Sequence, residues 1–239
     1  QFFAARGWQV QAGESCFARE TRFAGPDELR LHDLQRFATD RRIDVVLSAR
    51  GGYGLSRLLD AIDFEAIGRA GRIIVGISDF TAFNLAYLAR AGGISFQGPS
   101  AGDFAAAEPD RFTVEQFFAT LTRAEHQVEF AGDGPDCDVT GTLWGGNLAL
   151  VSALVGTPYL PRVRGGIGTA RNTGGRVRQP AIPWSRLFIT SQDRNMTAPT
   201  LAADKPAARA AGPVAVPAAA RAARVQGSLV REILKVTQR

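Results

Sequence analysis

Lysine is almost absent. The 239 residues hold two, Lys205 and Lys235, and the single methionine, Met196, lies in the same late stretch. Cysteine is equally scarce: Cys16 and Cys137 are far apart and show no paired spacing. That excludes a disulfide framework or a cysteine zinc site and predicts a reducing compartment. The two histidines, His32 and His126, are also isolated, so no metal site is expected. No apolar run approaches the ~18 residues of a membrane span. The opening, "QFFAARGWQV", has neither an initiator Met nor the basic start, apolar middle and small-residue cleavage site of a signal peptide. The chain is therefore expected to begin inside a longer protein.

What is present suffices for a real core: 45% of the residues are hydrophobic, enough for one large domain or two small ones. The net charge of +5 hides an asymmetry. Residues 1–168 carry 16 Arg, no Lys and 20 acidic residues, whereas residues 169–239 carry 12 basic and 3 acidic ones. An asymmetry of this kind is a mark of basic arms that meet nucleic acid or membrane.

The first half alternates strand and helix patterns. "LRLHDLQRFATD" puts Leu31, Leu34 and Phe37 at helical spacing. "RIDVVLSAR" and "RIIVGI" read as buried strands, and "ISFQGP" as a third. "LSRLLDAIDFEAIGRAG" reads as one helix with Gly71 near its end, and "FTAFNLAYLARAGG" as the next. This alternation predicts an α/β fold with a parallel sheet and right-handed crossovers over residues 1–125. "PDRFTVEQFFATLTRA" continues with an amphipathic helix. A linker is expected over 126–138; "AEHQVEFAGDGPDCDVTGTLWGGN" (124–147) around it reads as a strand, a turn-rich link and a second strand, the last opening a β-rich second domain at 139–168. "NLALVSALVGTPYLP" reads as a helix stopping before Pro158. Past Gly168 the period is lost, and residues 198–224 hold 13 Ala and 4 Pro in 27 residues, a composition that buries little surface.

Three glycine-rich or strand-to-helix turns carry possible chemistry. In "RIIVGISDFTAF", Ser78 follows a buried strand and precedes a helix. A serine on such a turn exposes its Oγ at the carboxyl end of the sheet, the next N–H, that of Asp79, faces a developing oxyanion, and the helix N-terminus adds favourable potential. The same position also suits a helix cap, worth about 1 kcal/mol. The pattern is not G-x-S-x-G, because position 80 is Phe. "ARGGYG" (49–54) also follows a strand. Gly51 and Gly52 allow close backbone approach and free N–H groups, and Arg50 suits a substrate carboxylate. A plain turn with a solvated Arg is the alternative. In "LWGGN", read as a glycine-rich turn, Trp144 suits a pocket wall and Asn147 either a substrate contact or a cap.

"ARGGYG", "GISDFTAF" and "LWGGNLALVSALVGTPYLP", in that order and spacing, together resemble the LD-carboxypeptidase family, the muramoyl-tetrapeptide carboxypeptidases. The resemblance covers about residues 1–168. It implies an N-terminal α/β domain carrying a nucleophilic serine and a C-terminal β-rich domain. It implies cytoplasmic recycling of murein-derived peptides, with the bond before a terminal D-alanine cut without metal or cofactor. On this resemblance Ser78 is the nucleophile, and the N–H of Asp79 and of Gly51 or Gly52 are the oxyanion donors. Arg50, Trp144 and Asn147 remain the substrate-binding candidates.

The resemblance also exposes a gap. The family's triad ends with a Glu and a His from the C-terminal domain. Here no His follows His126, and the one Glu after Glu129 is Glu232. "RGGI" (164–167) runs into "GTARNTGGRVRQP" rather than an apolar strand ending in acidic residues. Neither His32, read as a surface helix residue, nor His126, read as a linker residue, is expected to replace the base. The strand that opens the family fold is also not found before Gln1. The expectation is little or no turnover. The change at Gly168 suggests a shifted reading frame or a rearranged gene, since an Arg-rich, Lys-free first part fits a GC-rich gene. Competing readings are a non-catalytic remnant that binds peptide through the glycine loops or anions through the tail, and a relative acting on another amide, such as a peptide-nucleotide antibiotic. Unpaired apolar surface predicts poor solubility or a partner, a homodimer being the simplest. Nucleic acid is not an expected partner, because the tail lacks interleaved aromatics, and a membrane is not expected, because no apolar run is long enough to span one.

Overall fold

The computed structural model describes residues 1–123, 126–128, 141–164, 166–171 and 187–188. Most of the expected linker, Cys137 and nearly all of the Ala/Pro/Arg-rich stretch lie outside the described residues. In chain order the regular elements are α1 (Asp27–Thr39), β1 (Val45–Leu47), α2 (Phe64–Ala70), β2 (Ile73–Gly76), α3 (Thr81–Ala91), β3 (Phe96–Gln97), α4 (Arg111–Thr122), β4 (Gln127–Val128), β5 (Leu143–Asn147), α5 (Leu148–Ala153), β6 (Ile167–Arg171) and β7 (Leu187–Phe188).

The apolar runs become a parallel sheet ordered β1-β2-β3, with Val45 opposite Ile73, Leu47 opposite Val75 and Gly76 opposite Gln97. The α/β class with a parallel sheet is therefore as the alternation predicts. Central β2 is buried at every position, as a strand covered on both faces must be. Its side chains alternate between two layers. Ile74 joins Val46 and the helices α2 and α3, with Leu58, Leu59, Ile67, Phe83 and Leu85. Ile73 and Val75 face the other layer, built from Phe104, Phe117 and Leu121, onto which Phe2, Phe3 and Trp8 pack. Trp144, Leu150, Val151, Leu154, Tyr159 and Leu160 pack into the first layer, so the chain after the expected linker shares the core of α3.

Two expectations need correction. The single helix over 55–71 is broken. Leu55–Ala61 is a 3-10 segment, Ile62 is extended, and α2 starts afresh because the Asp63 side chain caps it, accepting from the Ala66 N–H at 2.8 Å. A capping carboxylate inside a helical apolar pattern restarts the helix. "LWGGN", read both as the end of a strand and as a turn, contains no turn. It is strand β5, parallel to β6, with Leu143 opposite Ile167 and Asn147 opposite Arg171. Its glycines serve close approach: a Cβ on Gly145 would lie 1.9 Å from the Thr169 carbonyl oxygen, and one on Gly146 would lie 2.5 Å from Thr81 Oγ1. Both have positive φ, 122° and 138°. A short antiparallel pair, β4 with β7, completes the described pairings. Among the described residues no helix is long and apolar enough to cross a membrane.

Candidate active site

β2 ends at Gly76, where a side chain would overlap the Phe80 ring, with a Cβ only 2.1 Å from its nearest carbon. The chain then turns sharply. Ile77 is extended, and Ser78 takes a left-handed φ of 61°, one of two non-glycine residues with positive φ among those described. Such a conformation costs a non-glycine residue roughly 1–2 kcal/mol. Strain of this kind persists only where the surrounding structure imposes it, and it concentrates at functional sites. A short 3-10 turn, Ser78–Phe80, leads into α3. The cap positions of the turn and of α3 are Ile77 and Phe80, and neither makes a side-chain cap bond. Ser78 therefore does not hold the capping position that its place in the sequence suggested.

The loop after β1 comes to the same edge. Its base is pinned by backbone bonds: Ser48 N–H to the Val75 carbonyl at 3.0 Å, Ala101 N–H to the Ser48 carbonyl at 2.9 Å, and Gly102 N–H to the Ala49 carbonyl at 3.0 Å. Gly51 then lies against Ser78. A Cβ on Gly51 would be 2.8 Å from Ser78 Cβ and 3.4 Å from Ser78 Oγ. Arg50 is exposed, and its guanidinium folds back to donate to the Gly51 carbonyl at 3.0 Å. The far end of the loop is braced from α1. Arg30 donates to the Gly54 carbonyl at 3.3 Å and pairs with Asp27, which also accepts from Arg57 at 2.7 Å. Both guanidinium groups stack on Phe23, itself stacked on Tyr53. Hydrogen bonds from Arg57 and Arg30 hold the Asp27 carboxyl below its usual range.

Asp79 closes the arrangement. Its carboxylate accepts from the Leu55 N–H at 3.4 Å. Burial pushes its carboxyl above the usual range, opposed by the N–H groups of Leu55 and Gly52 and by the charges of Arg30 and Arg50. The Gly52 N–H therefore faces Asp79, while Gly51 is the glycine that abuts the serine.

The other candidates sit differently. Asn147 is buried, and its Oδ1 caps α5 by accepting from Ala149 and Leu150 N–H at 3.0 and 3.3 Å. Its own N–H donates to Thr81 Oγ1 at 2.9 Å. Trp144 packs into the α3 core layer and against Gly166 and Gly168. His32 is exposed on α1, and His126 is paired with Gln116 of α4 at 2.6 Å. Sequence reasoning missed Thr81. The residue is fully buried and ties β5 to the start of α3. The glycine pair that approaches it was the available signal.

Residues 1–98 match the LD-carboxypeptidase N-terminal domain family. A carboxypeptidase homologue of Streptomyces coelicolor is 38% identical over 156 residues, 63% of this chain and 50% of that protein. The murein peptide carboxypeptidase homologue of Bacillus subtilis is 30% identical over 173 residues, 69% of this chain and 53% of that protein. The chain thus spans about half the length of these curated relatives. The crystal structure of a muramoyltetrapeptide carboxypeptidase from Oxalobacter formigenes superposes with a TM-score of 0.60 at 41% identity, over 64% of this chain and 52% of that one. Residues 1–98, which carry the left-handed serine turn and the glycine loop, are thus an LD-carboxypeptidase N-terminal domain.

Proposed function

We propose that Ser78 is the nucleophile of an LD-carboxypeptidase site whose substrate is a murein-derived peptide ending in D-alanine, met in the cytoplasm. The observation that carries this reading is the Ser78 turn itself: a strained φ of 61° on a half-buried serine turn packed against Gly51. Ser78 Oγ would bond to the carbonyl carbon before D-alanine. The N–H groups of Asp79 and Gly51 would hold the oxyanion, the C–N bond would break, and D-alanine would leave with a proton. Water would then hydrolyse the acyl-serine. The serine proton needs an acceptor, and no histidine follows His126 in this chain. His126 is occupied with Gln116. Proton transfer therefore falls to solvent, and turnover is slow or absent. Removing triad members leaves roughly 10³–10⁴-fold catalysis over water in a well-formed site.

The test is addition of a fluorophosphonate, in which the serine oxygen bonds to phosphorus, fluoride leaves and the proton goes to solvent. Intact mass and peptide mapping should find the adduct on Ser78 and none in Ser78→Ala. In parallel, murein tetrapeptide should yield D-alanine at best slowly. A folded chain with no adduct at Ser78 overturns the nucleophile reading. Rapid multiple-turnover release of D-alanine, lost in Ser78→Ala, overturns the impaired reading.

A further inference from the structure

A loop with adjacent glycines is conformationally free, and an oxyanion donor is effective only when held in place beforehand. The fastenings of the Ala49–Gly54 loop are therefore part of the site. One comes from the residue next to the serine. The left-handed turn at Ser78 sends Asp79 back across the sheet edge, where its carboxylate meets the N–H of Leu55, 24 residues earlier in the chain. Leu55 starts the 3-10 segment whose Leu58 and Leu59 are buried, so its backbone is a firm anchor. Gly54, with a φ of 112°, joins that anchor to the glycine pair.

With Ser78 taken as the nucleophile, we propose that the Asp79 side chain is a positioning residue: its carboxylate clasps the glycine loop through Leu55 and Gly52 and so sets the Gly51 N–H opposite the serine oxygen. Asp79 then has two separate duties, its own N–H toward the oxyanion and its carboxylate toward the loop that supplies the second donor. The charged groups facing the carboxylate are Arg30, from α1, and Arg50, from the loop itself. The clasp costs stability, since a carboxylate is drawn out of water. Burial raises its folded value above the ordinary 3.8. The fold is thus favoured when Asp79 is protonated, and that advantage is lost as pH rises through the raised value.

The experiment uses the full chain with the variants Asp79→Asn and Asp79→Ala. Amide spectra followed from acid to neutral pH should show Leu55 and Gly52 titrating together, with a midpoint above 3.8, and the titration should vanish in Asp79→Asn. Fluorophosphonate addition to Ser78 should slow about tenfold to hundredfold in Asp79→Ala. That is somewhat less than the roughly 10²–10³ cost of losing an oxyanion donor outright. Asp79→Asn, which keeps one acceptor, should recover part of the rate while melting at or above the wild-type temperature at neutral pH. Amides that do not titrate, or that titrate unchanged in Asp79→Asn, overturn the clasp. Variants that add the probe at the wild-type rate overturn its positioning role. A wild-type chain that takes no probe sinks the nucleophile reading instead, and the amide titration still decides whether the clasp exists.

Discussion

Gly51 and Ser78 come from neighbouring loops at one sheet edge and stand so close that a Cβ on Gly51 would lie 2.8 Å from the Ser78 Cβ. The contact is with the side chain whose position matters most. Gly51→Ala should push the two loops apart and displace both the serine oxygen and the adjacent N–H. We expect fluorophosphonate addition to fall by at least about 10², the scale of losing an oxyanion donor, with the far-ultraviolet spectrum unchanged. Undiminished labelling of this variant would show that the loops do not form one site.

The left-handed backbone at Ser78, with its φ of 61°, makes a separable prediction about stability. Ser78→Ala keeps the strain, whereas Ser78→Gly relieves it. The glycine variant should be the more stable of the two by about 1 kcal/mol, after the entropy that glycine adds to the unfolded chain. Urea unfolding of the two variants decides this. An alanine variant as stable as the glycine one would mean that the turn is not strained.

Thr81 Oγ1 accepts the buried Asn147 N–H at 2.9 Å. Thr81→Val keeps the shape and strands that N–H, at a cost of about 1–3 kcal/mol. Thr81→Ser keeps the acceptor and should lose much less. Trp144, on the same strand, offers a fluorescence signal for β5 leaving α3 during unfolding. Equal stability of the Val and Ser variants would remove Thr81 as the fastening.

His126 is expected to make the fold sensitive to mild acid. Burial, and then the charge of Arg123, hold its value below 6.5. The fold therefore prefers the neutral ring, and the stability this confers is present above 6.5 and is lost as pH falls through the lowered value. The melting temperature of His126→Gln should gain on that of the wild type between about pH 7 and pH 5, a range that spans the ordinary histidine value. A constant difference across that interval would contradict the assignment.

The strands β1 and β2, helix α3 and the place of Ser78 between strand and helix are legible in the sequence, because apolar runs and helical spacing are local signals. So is the lack of any histidine after His126. Where local signals conflicted, the reading failed. Asp63 lay inside an apolar period that suggested one helix, and its capping carboxylate broke it. The Gly145–Gly146 pair suggested a turn and proved to be a strand that must approach both Thr81 and Thr169.

The amino-acid order by itself determined the alternation of strands and helices, the parallel sheet that follows from it, and the inventory of chemical groups, including which are lacking. Only the tertiary structure decided what those groups do. It chose Gly51 over Gly52 as the neighbour of Ser78, withheld the capping position of α3 from Ser78, brought the Asn147 N–H to Thr81, and turned the Asp79 carboxylate toward Leu55. The reason is that periodicity reports on contacts a few residues apart. These contacts span from 24 to 66 residues and arise because right-handed crossovers return the carboxyl ends of parallel strands to a common edge.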